Sequence, residues 1–248
     1  MIKTIDDASK QEMTYIIKGF NPSTFIDWAG KLACVIYLPG CNFRCPFCHS
    51  SSLVLKPAEI EAIPFVEIKQ FLVQNNGWID GLVVQGGEPT LYEKLPQLLK
   101  EIKSLNVQVK LDTNGSAPEV ILDLIKADLV DYIAMDIKAD LSIERYNKSA
   151  GVVVDLNKIK QSISILLSSN IDYEFRTTVV PGFVDADAIG AIAKFIRGAK
   201  RYTLQQFSSE DTLDSKMAEV KPYHIDQMRQ FSLMAKKFVP NTSVRGAE

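Results

Sequence analysis

Short apolar runs alternate along the chain with longer segments in which apolar positions recur every three or four residues. The first kind, such as 132–136, is typical of buried strands, and the second, such as 118–126 with proline at its start, is typical of helices. The predicted strands are 33–38, 81–85, 107–111, 132–136, 172–180 and 201–206. The predicted helices are 64–75, 93–104, 118–126, 155–168, 185–198 and 222–238.

This alternation indicates βα units around a parallel sheet, and therefore an α/β fold. Six such units fit either a partial (β/α)6 barrel or a doubly wound sheet, although the glycine fingerprint of a dinucleotide-binding fold is missing. The chain shows no internal repeat, low-complexity tract or linker, so we expect one domain over residues 1–248. Its core is expected at about 30–207, with an N-terminal extension at 1–29 and a C-terminal helical segment at 208–248.

Composition and charge narrow the classes of partner. The 248 residues are 46% hydrophobic, which is enough for a sizeable core, and the formal net charge is -2. The chain therefore lacks the basic surface expected of a nucleic-acid-binding protein. No apolar stretch is typical of a secretory signal or long enough to span a bilayer. We therefore expect a cytoplasmic protein without nucleic-acid or membrane partners.

Three of the four cysteines, Cys41, Cys45 and Cys48, follow directly after the first predicted strand. Three thiolates this close can hold three irons of a cubane cluster and leave the fourth iron open to a substrate. A zinc site completed by His49 and a disulfide are the alternatives. However, adjacent Cys48 and His49 cannot easily reach one tetrahedral ion, and nothing indicates an oxidising compartment. Cys34, within an apolar run, is expected to be a small buried side chain.

Polar and glycine-rich motifs follow the other predicted strands, where the active site of an α/β barrel lies. They are Gly86-Gly87-Glu88-Pro89, Asp112-Thr113-Asn114-Gly115, Asp136-Ile137-Lys138, and Arg176 within the fifth strand. Each also has an ordinary structural explanation: a turn before a helix, an Asn-Gly turn, a surface ion pair and an outward-facing strand charge. If Arg176 points into the barrel it needs a partner, because an unpaired buried charge is costly.

The spacing C-x3-C-x2-C, with the aromatic Phe47 before the last cysteine, and the GGEP motif resemble the radical S-adenosylmethionine (SAM) superfamily. The resemblance implies a partial (β/α)6 barrel and a [4Fe-4S] cluster bound by Cys41, Cys45 and Cys48. It also implies that SAM chelates the open iron through its amino and carboxylate groups. One electron would then cleave SAM to methionine and a 5′-deoxyadenosyl radical, which takes a hydrogen atom from a substrate.

The strand-end motifs also resemble those of activating enzymes for glycyl-radical proteins, and this resemblance implies a role for each residue. The implied contacts to SAM are Gly86, Gly87, Glu88, Asp112 and Asp136 near the amino group, Lys138 near the carboxylate, Arg176 beside SAM, and Phe47 against the adenine. The resemblance further implies a monovalent-cation site lined by Asp112, Thr113, Asp136 and the backbone at Ala134.

One departure from that pattern concerns histidine. Several activating enzymes carry a histidine after the sixth strand that helps to hold the SAM carboxylate, whereas this chain has Gln205 and Gln206 there. These two glutamines are the candidates to replace it. His49 and His224 are the chain's two histidines, which makes a Ser-His-Asp hydrolase or an HExxH metalloprotease implausible. His224 is expected at the surface or as the cap of the last predicted helix.

The segments 17–31 and 38–49 closely resemble one group, the anaerobic ribonucleoside-triphosphate reductase activating proteins, and the resemblance extends over about 17–206. It implies that the chain abstracts hydrogen from a glycine of a partner glycyl-radical enzyme, with a flavodoxin- or ferredoxin-type electron donor. No further cysteines are available for a second cluster. The alternatives are a radical SAM reaction on a small molecule, such as that of 7-carboxy-7-deazaguanine synthase, and a non-enzymatic iron–sulfur electron carrier. A peptide- or RNA-modifying enzyme is a further alternative, although the near-neutral charge argues against RNA.

Overall fold

A computed structural model of the chain describes residues 15–246. It contains strands β1 (Gly19–Thr24), β2 (Ala33–Leu38), β3 (Gly81–Gly86), β4 (Gln108–Thr113), β5 (Tyr132–Asp136), β6 (Asp172–Val179), β7 (Tyr202–Gln206) and β8 (Thr242–Arg245). The helices are α1 (Ser51–Leu55), α2 (Phe65–Gln74), α3 (Leu95–Lys103), α4 (Pro118–Lys126), α5 (Ile143–Ala150), α6 (Leu156–Ser168), α7 (Ala186–Phe195) and α8 (Ile225–Lys236).

All eight strands form one sheet in the order β1 to β8. The six predicted strands are β2 to β7, and they are parallel neighbours joined through helices. This confirms the partial (β/α)6 barrel and excludes the doubly wound sheet, whose strand order reverses at a switch point. Within residues 15–246, no helix combines the length and the apolar character that crossing a membrane requires.

Two strands extend the sheet beyond the six predicted ones. β1 lies antiparallel to β2 within the predicted N-terminal extension, of which residues 1–14 lie outside the described part. β8 lies parallel to β7 within the segment predicted to be helical, which also contains α8. The prediction also lacked α1 and α5. Because both outer strands pair with the core strands, the single continuous sheet supports our proposal of one domain.

The core has two parts because side chains alternate between the two faces of each strand. The larger part lies between the sheet and the helices and contains Cys34, as expected for a small buried side chain. The smaller part lies inside the barrel, where Trp28 packs against Tyr132 and neighbouring small residues. A Cβ at Gly81 would lie 2.6 Å from the Trp28 ring, so the indole fits here because residue 81 has no side chain. Trp28 therefore fills the interior below the strand ends.

Candidate functional site

A cavity of about 290 Å³ lies at the C-terminal ends of the strands. Every residue predicted for the site lines it: Cys41, Cys45, Phe47, Cys48, Gly86, Gly87, Glu88, Asp112, Thr113, Asp136, Lys138 and Arg176. Gln205 also lines this cavity, whereas Gln206 lines a separate one. The structure therefore brings the separate sequence motifs to one place, and it favours Gln205 over Gln206 as the residue that replaces the missing histidine.

The cysteine loop (residues 39–50) is held in place by backbone contacts from two distant segments. The Arg44 amide donates to the Ala150 carbonyl at the end of α5 at 2.7 Å, and the Asp214 amide donates to the Pro46 carbonyl at 2.9 Å. Gly151 follows α5 with φ 69°, and a Cβ there would lie 2.0 Å from the Arg44 carbonyl oxygen. The loop conformation is thus set by tertiary contacts rather than by the cysteines alone.

Gly86 and Gly87 have a structural role that the sequence did not reveal. A Cβ on Gly87 would lie 1.7 Å from the Gly40 carbonyl oxygen, and one on Gly86 would lie 2.4 Å from that of Leu38. The Glu88 amide donates to the Gly40 oxygen at 2.7 Å. The two glycines therefore allow the end of β3 to approach the cysteine loop closely, whereas their predicted contact with SAM remains a prediction.

The three cysteines suit an iron–sulfur cluster by their donor chemistry and surroundings. Cys45 is buried, Cys41 and Cys48 are half-buried, and the Phe43 amide donates to the Cys41 sulfur at 3.3 Å. Burial raises the pKa of the Cys45 thiol to about 12 and raises that of Cys41. Metal binding therefore has to displace protons from these thiols, since the thiolate is the ligand.

A single metal ion suits the same residues less well. In the part of the chain that the structure describes, no three His, Cys, Asp or Glu side chains converge as ligands of one ion. A cubane does not require such convergence, because each cysteine binds a different iron. His49, the proposed fourth ligand of a zinc site, is exposed. The arrangement therefore fits the cluster better than it fits zinc.

Glu88 is only 1% exposed and already has internal partners for both carboxylate oxygens. One oxygen accepts from the Thr90 amide and hydroxyl and from the Thr113 hydroxyl, and the other accepts from the Asn114 amide at 2.6 Å. Glu88 thus joins the loops after β3 and β4. Its predicted hydrogen bond to an ammonium group remains a prediction, and it would have to be shared with these donors.

Six charged side chains form an alternating series inside the barrel, which we call the charge ladder. In order they are Glu174, Lys110, Asp112, Arg176, Asp136 and Lys138, and successive charged atoms lie 3.4, 3.5, 2.6, 2.9 and 2.8 Å apart. The partner that Arg176 needs inside the barrel is therefore a pair of aspartates. Its alternative explanation as an outward-facing charge is wrong, because its side chain is only 12% exposed.

The ladder favours the charged forms of Asp136 and Lys138. Burial alone would raise the pKa of Asp136, but Arg176 and Lys138 outweigh it and hold that pKa well below its ordinary value. Burial alone would lower the pKa of Lys138, but Asp136 and the nearby cysteines raise it instead. Asp112 Oδ1 is buried without a hydrogen-bond partner and faces Lys110 only at ion-pair distance. This oxygen can still accept a hydrogen bond from a bound ligand.

The aromatic and capping predictions have clear outcomes. Phe47 is buried and packs edge-on against Phe183, with ring centroids 5.6 Å apart, while it lines the cavity. Its packing role is therefore present, and its contact with adenine remains a prediction.

His224 caps the start of α8 by accepting from the Asp226 amide, which confirms its expected capping role.

Sequence reasoning missed two charged residues that line the cavity, Asp27 and Arg245, and two members of the charge ladder, Lys110 and Glu174. Lys110 lies two residues before Asp112 in β4, and Glu174 lies two residues before Arg176 in β6. Side chains two residues apart point to the same face of a strand, so this spacing could have indicated a polar inner face of the sheet. Arg245, from β8, donates to Gln205 at 3.0 Å and to the Ile26 carbonyl at 3.2 Å across the barrel. No signal identified Arg245, because β8 itself was not predicted.

Comparisons with known proteins agree with this geometry. Residues 35–195 match the family model described as the radical SAM superfamily. A Methanocaldococcus jannaschii protein named "Putative glycyl-radical enzyme activating enzyme" is 33% identical over 94% of this chain and 97% of its own length. A 7-carboxy-7-deazaguanine synthase of Thermococcus kodakarensis is 24% identical over 77% of this chain and 80% of its own length.

The fold also matches solved structures. Streptococcus suis SuiB, in a crystal structure with bound S-adenosylmethionine, gives a TM-score of 0.64 at 16% identity. The match covers 86% of this chain and 52% of SuiB, so the chain spans about half the length of that protein. At this identity the similarity establishes the fold and no more.

Proposed function

Since the chain belongs to the radical SAM superfamily, whose members use a [4Fe-4S] cluster and SAM, we propose that it activates a glycyl-radical enzyme. The support for this finer assignment is the 33% identity, over nearly the whole of both chains, to a protein named for that activity. An anaerobic ribonucleotide reductase is our candidate partner. A flavodoxin- or ferredoxin-type protein is our candidate electron donor.

The observation that carries the proposal is the meeting of the cysteine loop and the charged strand ends in one cavity. Cys41, Cys45 and Cys48 would hold three irons of the cluster. When bound, the cluster supplies one electron that cleaves SAM and yields a 5′-deoxyadenosyl radical, which takes a hydrogen atom from the partner's glycine. The remaining task of the protein is to bind, orient and shield these groups.

The charge ladder and the aromatic residues can perform that task. Lys138 would bind the SAM carboxylate, and the unpartnered Asp112 Oδ1 would accept from its ammonium group. Phe43 and Phe47 are buried beside the cysteines and would exclude water from the cluster. In an α/β barrel the strand ends face the loops and the outside, which would allow a glycine-bearing segment of a partner to approach.

The direct test is electron paramagnetic resonance on a mixture of the reduced protein, SAM and a glycyl-radical enzyme, prepared without oxygen. We expect a doublet signal on the partner and formation of 5′-deoxyadenosine. The doublet should disappear when the partner's radical-bearing glycine is replaced by alanine. Both the doublet and 5′-deoxyadenosine should disappear when Cys45→Ala replaces the wild-type chain. Turnover of a small molecule without any protein partner would contradict the proposal.

A small-molecule reaction is the second candidate, supported by the 24% identity to a 7-carboxy-7-deazaguanine synthase. The lower identity and coverage make it the weaker of the two. Incubation with the substrate of such a synthase distinguishes them, because only the second candidate consumes that compound. An electron carrier is distinguished from both, since it leaves SAM intact.

A further inference from the structure

The carboxylates that the resemblance assigns to a monovalent cation already have positive partners within the chain. Arg176 places Nη1 2.6 Å from Asp112 Oδ2 and Nε 2.9 Å from Asp136 Oδ1. The other oxygen of Asp136 lies 2.8 Å from Lys138 Nζ, and Asp112 Oδ1 lies 3.5 Å from Lys110 Nζ. All four carboxylate oxygens therefore face a cationic side chain.

The third residue assigned to the cation site is also engaged. The Thr113 hydroxyl donates to Glu88 at 2.7 Å and accepts from the Gly115 amide at 3.1 Å. Its proton and one of its two lone pairs are used, so a single lone pair of Thr113 is left for an ion. The residues present are therefore arranged around Glu88 and Arg176 rather than around an ion.

Electrostatics opposes a metal ion held between Asp112 and Asp136, where Arg176 already lies. The SAM ammonium of the proposed function would use only Asp112 Oδ1, the oxygen without a hydrogen-bond partner. The charge ladder contains three carboxylates and three cations in strict alternation, and its members are largely withdrawn from water. A guanidinium stays charged at any pH at which the protein is folded, so it cannot yield its position by losing a proton. An added ion between Asp112 and Asp136 would lie beside Arg176 in a region of poor screening.

We infer that Arg176 is the built-in counter-ion of Asp112 and Asp136, and that it takes the place of the monovalent cation implied by the resemblance. Arg176 acts as a positioning residue that holds the ends of β4 and β5 at a fixed separation beside the cavity. The inference concerns the charges of the chain and does not depend on which partner or substrate the protein acts on.

The test uses the anaerobically purified protein with its cluster, in choline chloride buffers into which NaCl is titrated at constant ionic strength. The ²³Na resonance linewidth reports sodium binding. We expect no saturable binding by the wild-type chain. Arg176→Gln removes the guanidinium from between the two aspartates, so this variant should bind sodium saturably. Its midpoint should lie at least about tenfold below the highest sodium concentration at which the wild type shows no saturation.

Arg145→Gln is the matched control. Arg145 also bridges two aspartates, Asp140 and Asp185, but its side chain is 41% exposed. The same substitution there should give no saturable sodium binding, because water screens the two carboxylates. The comparison separates the opening of a buried site from the general effect of removing one positive charge.

The second measurement is the affinity for SAM in NaCl, KCl and choline chloride of equal ionic strength. For the wild type we expect the three dissociation constants to agree within about twofold. Arg176→Gln should bind SAM more weakly in choline chloride and regain affinity in NaCl or KCl. Saturable sodium binding by the wild type, or wild-type SAM affinity that requires sodium or potassium, would overturn the inference. A folded Arg176→Gln chain that binds no sodium would also overturn it, and the wild-type result stands even if this variant does not fold.

Discussion

At the scale of single residues, the four cysteines have two kinds of surroundings. Cys34 lies on the helix-facing side of β2, fully buried, with its sulfur 3.8 Å from the Gly81 carbonyl oxygen. Cys41, Cys45 and Cys48 line the cavity instead. Burial raises the pKa of both Cys34 and Cys45 to about 12, so position rather than acidity separates the two kinds.

Cys45→Ala should therefore lose the cluster and with it all cleavage of SAM, because one of three iron ligands is removed. Cys34→Ala is the matched control, and it should keep the full iron content at a cost of about 1 kcal/mol in the free energy of unfolding. Iron analysis and the visible absorption of the cluster measure both. Retained SAM cleavage by Cys45→Ala would show that the ligand assignment is wrong.

Lys138→Ala should weaken the binding of SAM and leave the iron content unchanged. The loss of a charged hydrogen bond to a carboxylate is worth roughly 1.5–3 kcal/mol. Lys148→Ala, which removes an exposed lysine that binds the Gly182 carbonyl, is the control and should bind SAM normally. Equilibrium dialysis with labelled SAM measures both affinities, and an unchanged affinity in Lys138→Ala would remove Lys138 from the site.

The sequence allowed much of the site to be predicted at this scale, because each motif carries its chemistry locally. What could not be predicted is how the side chains pair. Arg176 lies 64 positions after Asp112 and 40 after Asp136, and only the pairing of β4, β5 and β6 brings the three together. Likewise, the resemblance implied a contact of Gly87 with SAM, but nothing in the sequence indicated that the absence of a side chain there also makes room for the Gly40 carbonyl.

At the scale of elements, α5 supports the cysteine loop. The helix ends at Ala150, whose carbonyl accepts from Arg44, and Gly151 then turns the chain away in the left-handed region. A side chain at this position meets both an unfavourable backbone conformation and the Arg44 carbonyl. Any change that displaces this helix end should therefore disturb the cysteine loop.

Gly151→Ala tests this coupling. Gly198→Ala is the control, since Gly198 has φ 85° but no atom near an added Cβ. The left-handed conformation alone should cost Gly198→Ala about 1–2 kcal/mol in the free energy of unfolding. Gly151→Ala should lose more stability and also lose iron faster during chelation. Equal rates of iron loss in the two variants would show that α5 does not support the loop.

The elements that the sequence did not reveal are those whose structure depends on their neighbours. β1 contains Pro22, and its pairing with β2 shifts register between Asn21 and Thr24. β8 is four residues long and only partly buried. Both lack the apolar alternation that predicted β2 to β7, because β-propensity reflects pairing and packing more than local sequence.

At the scale of the whole molecule, side-chain contacts across the barrel interior connect residues from both ends of the described chain. The Arg245 side chain in β8 donates to the carbonyl of Ile26, a residue that follows β1. The Lys110 side chain, in the barrel interior, donates to the carbonyl of Asp27, the next residue after Ile26. The cavity therefore has a wall built from segments outside the six predicted strands. The six-stranded barrel could be predicted from the alternation and the resemblance, whereas this wall could not.

The central claim is that three cysteines hold a cluster whose open iron binds SAM beside the charge ladder. Quantifying 5′-deoxyadenosine after the anaerobically reduced protein has been incubated with SAM tests it most directly. We predict that the wild-type chain forms this product and that Cys45→Ala forms none. A wild-type chain that carries an intact cluster and binds SAM but forms no 5′-deoxyadenosine, or one that is purified with zinc in place of iron, would contradict the claim.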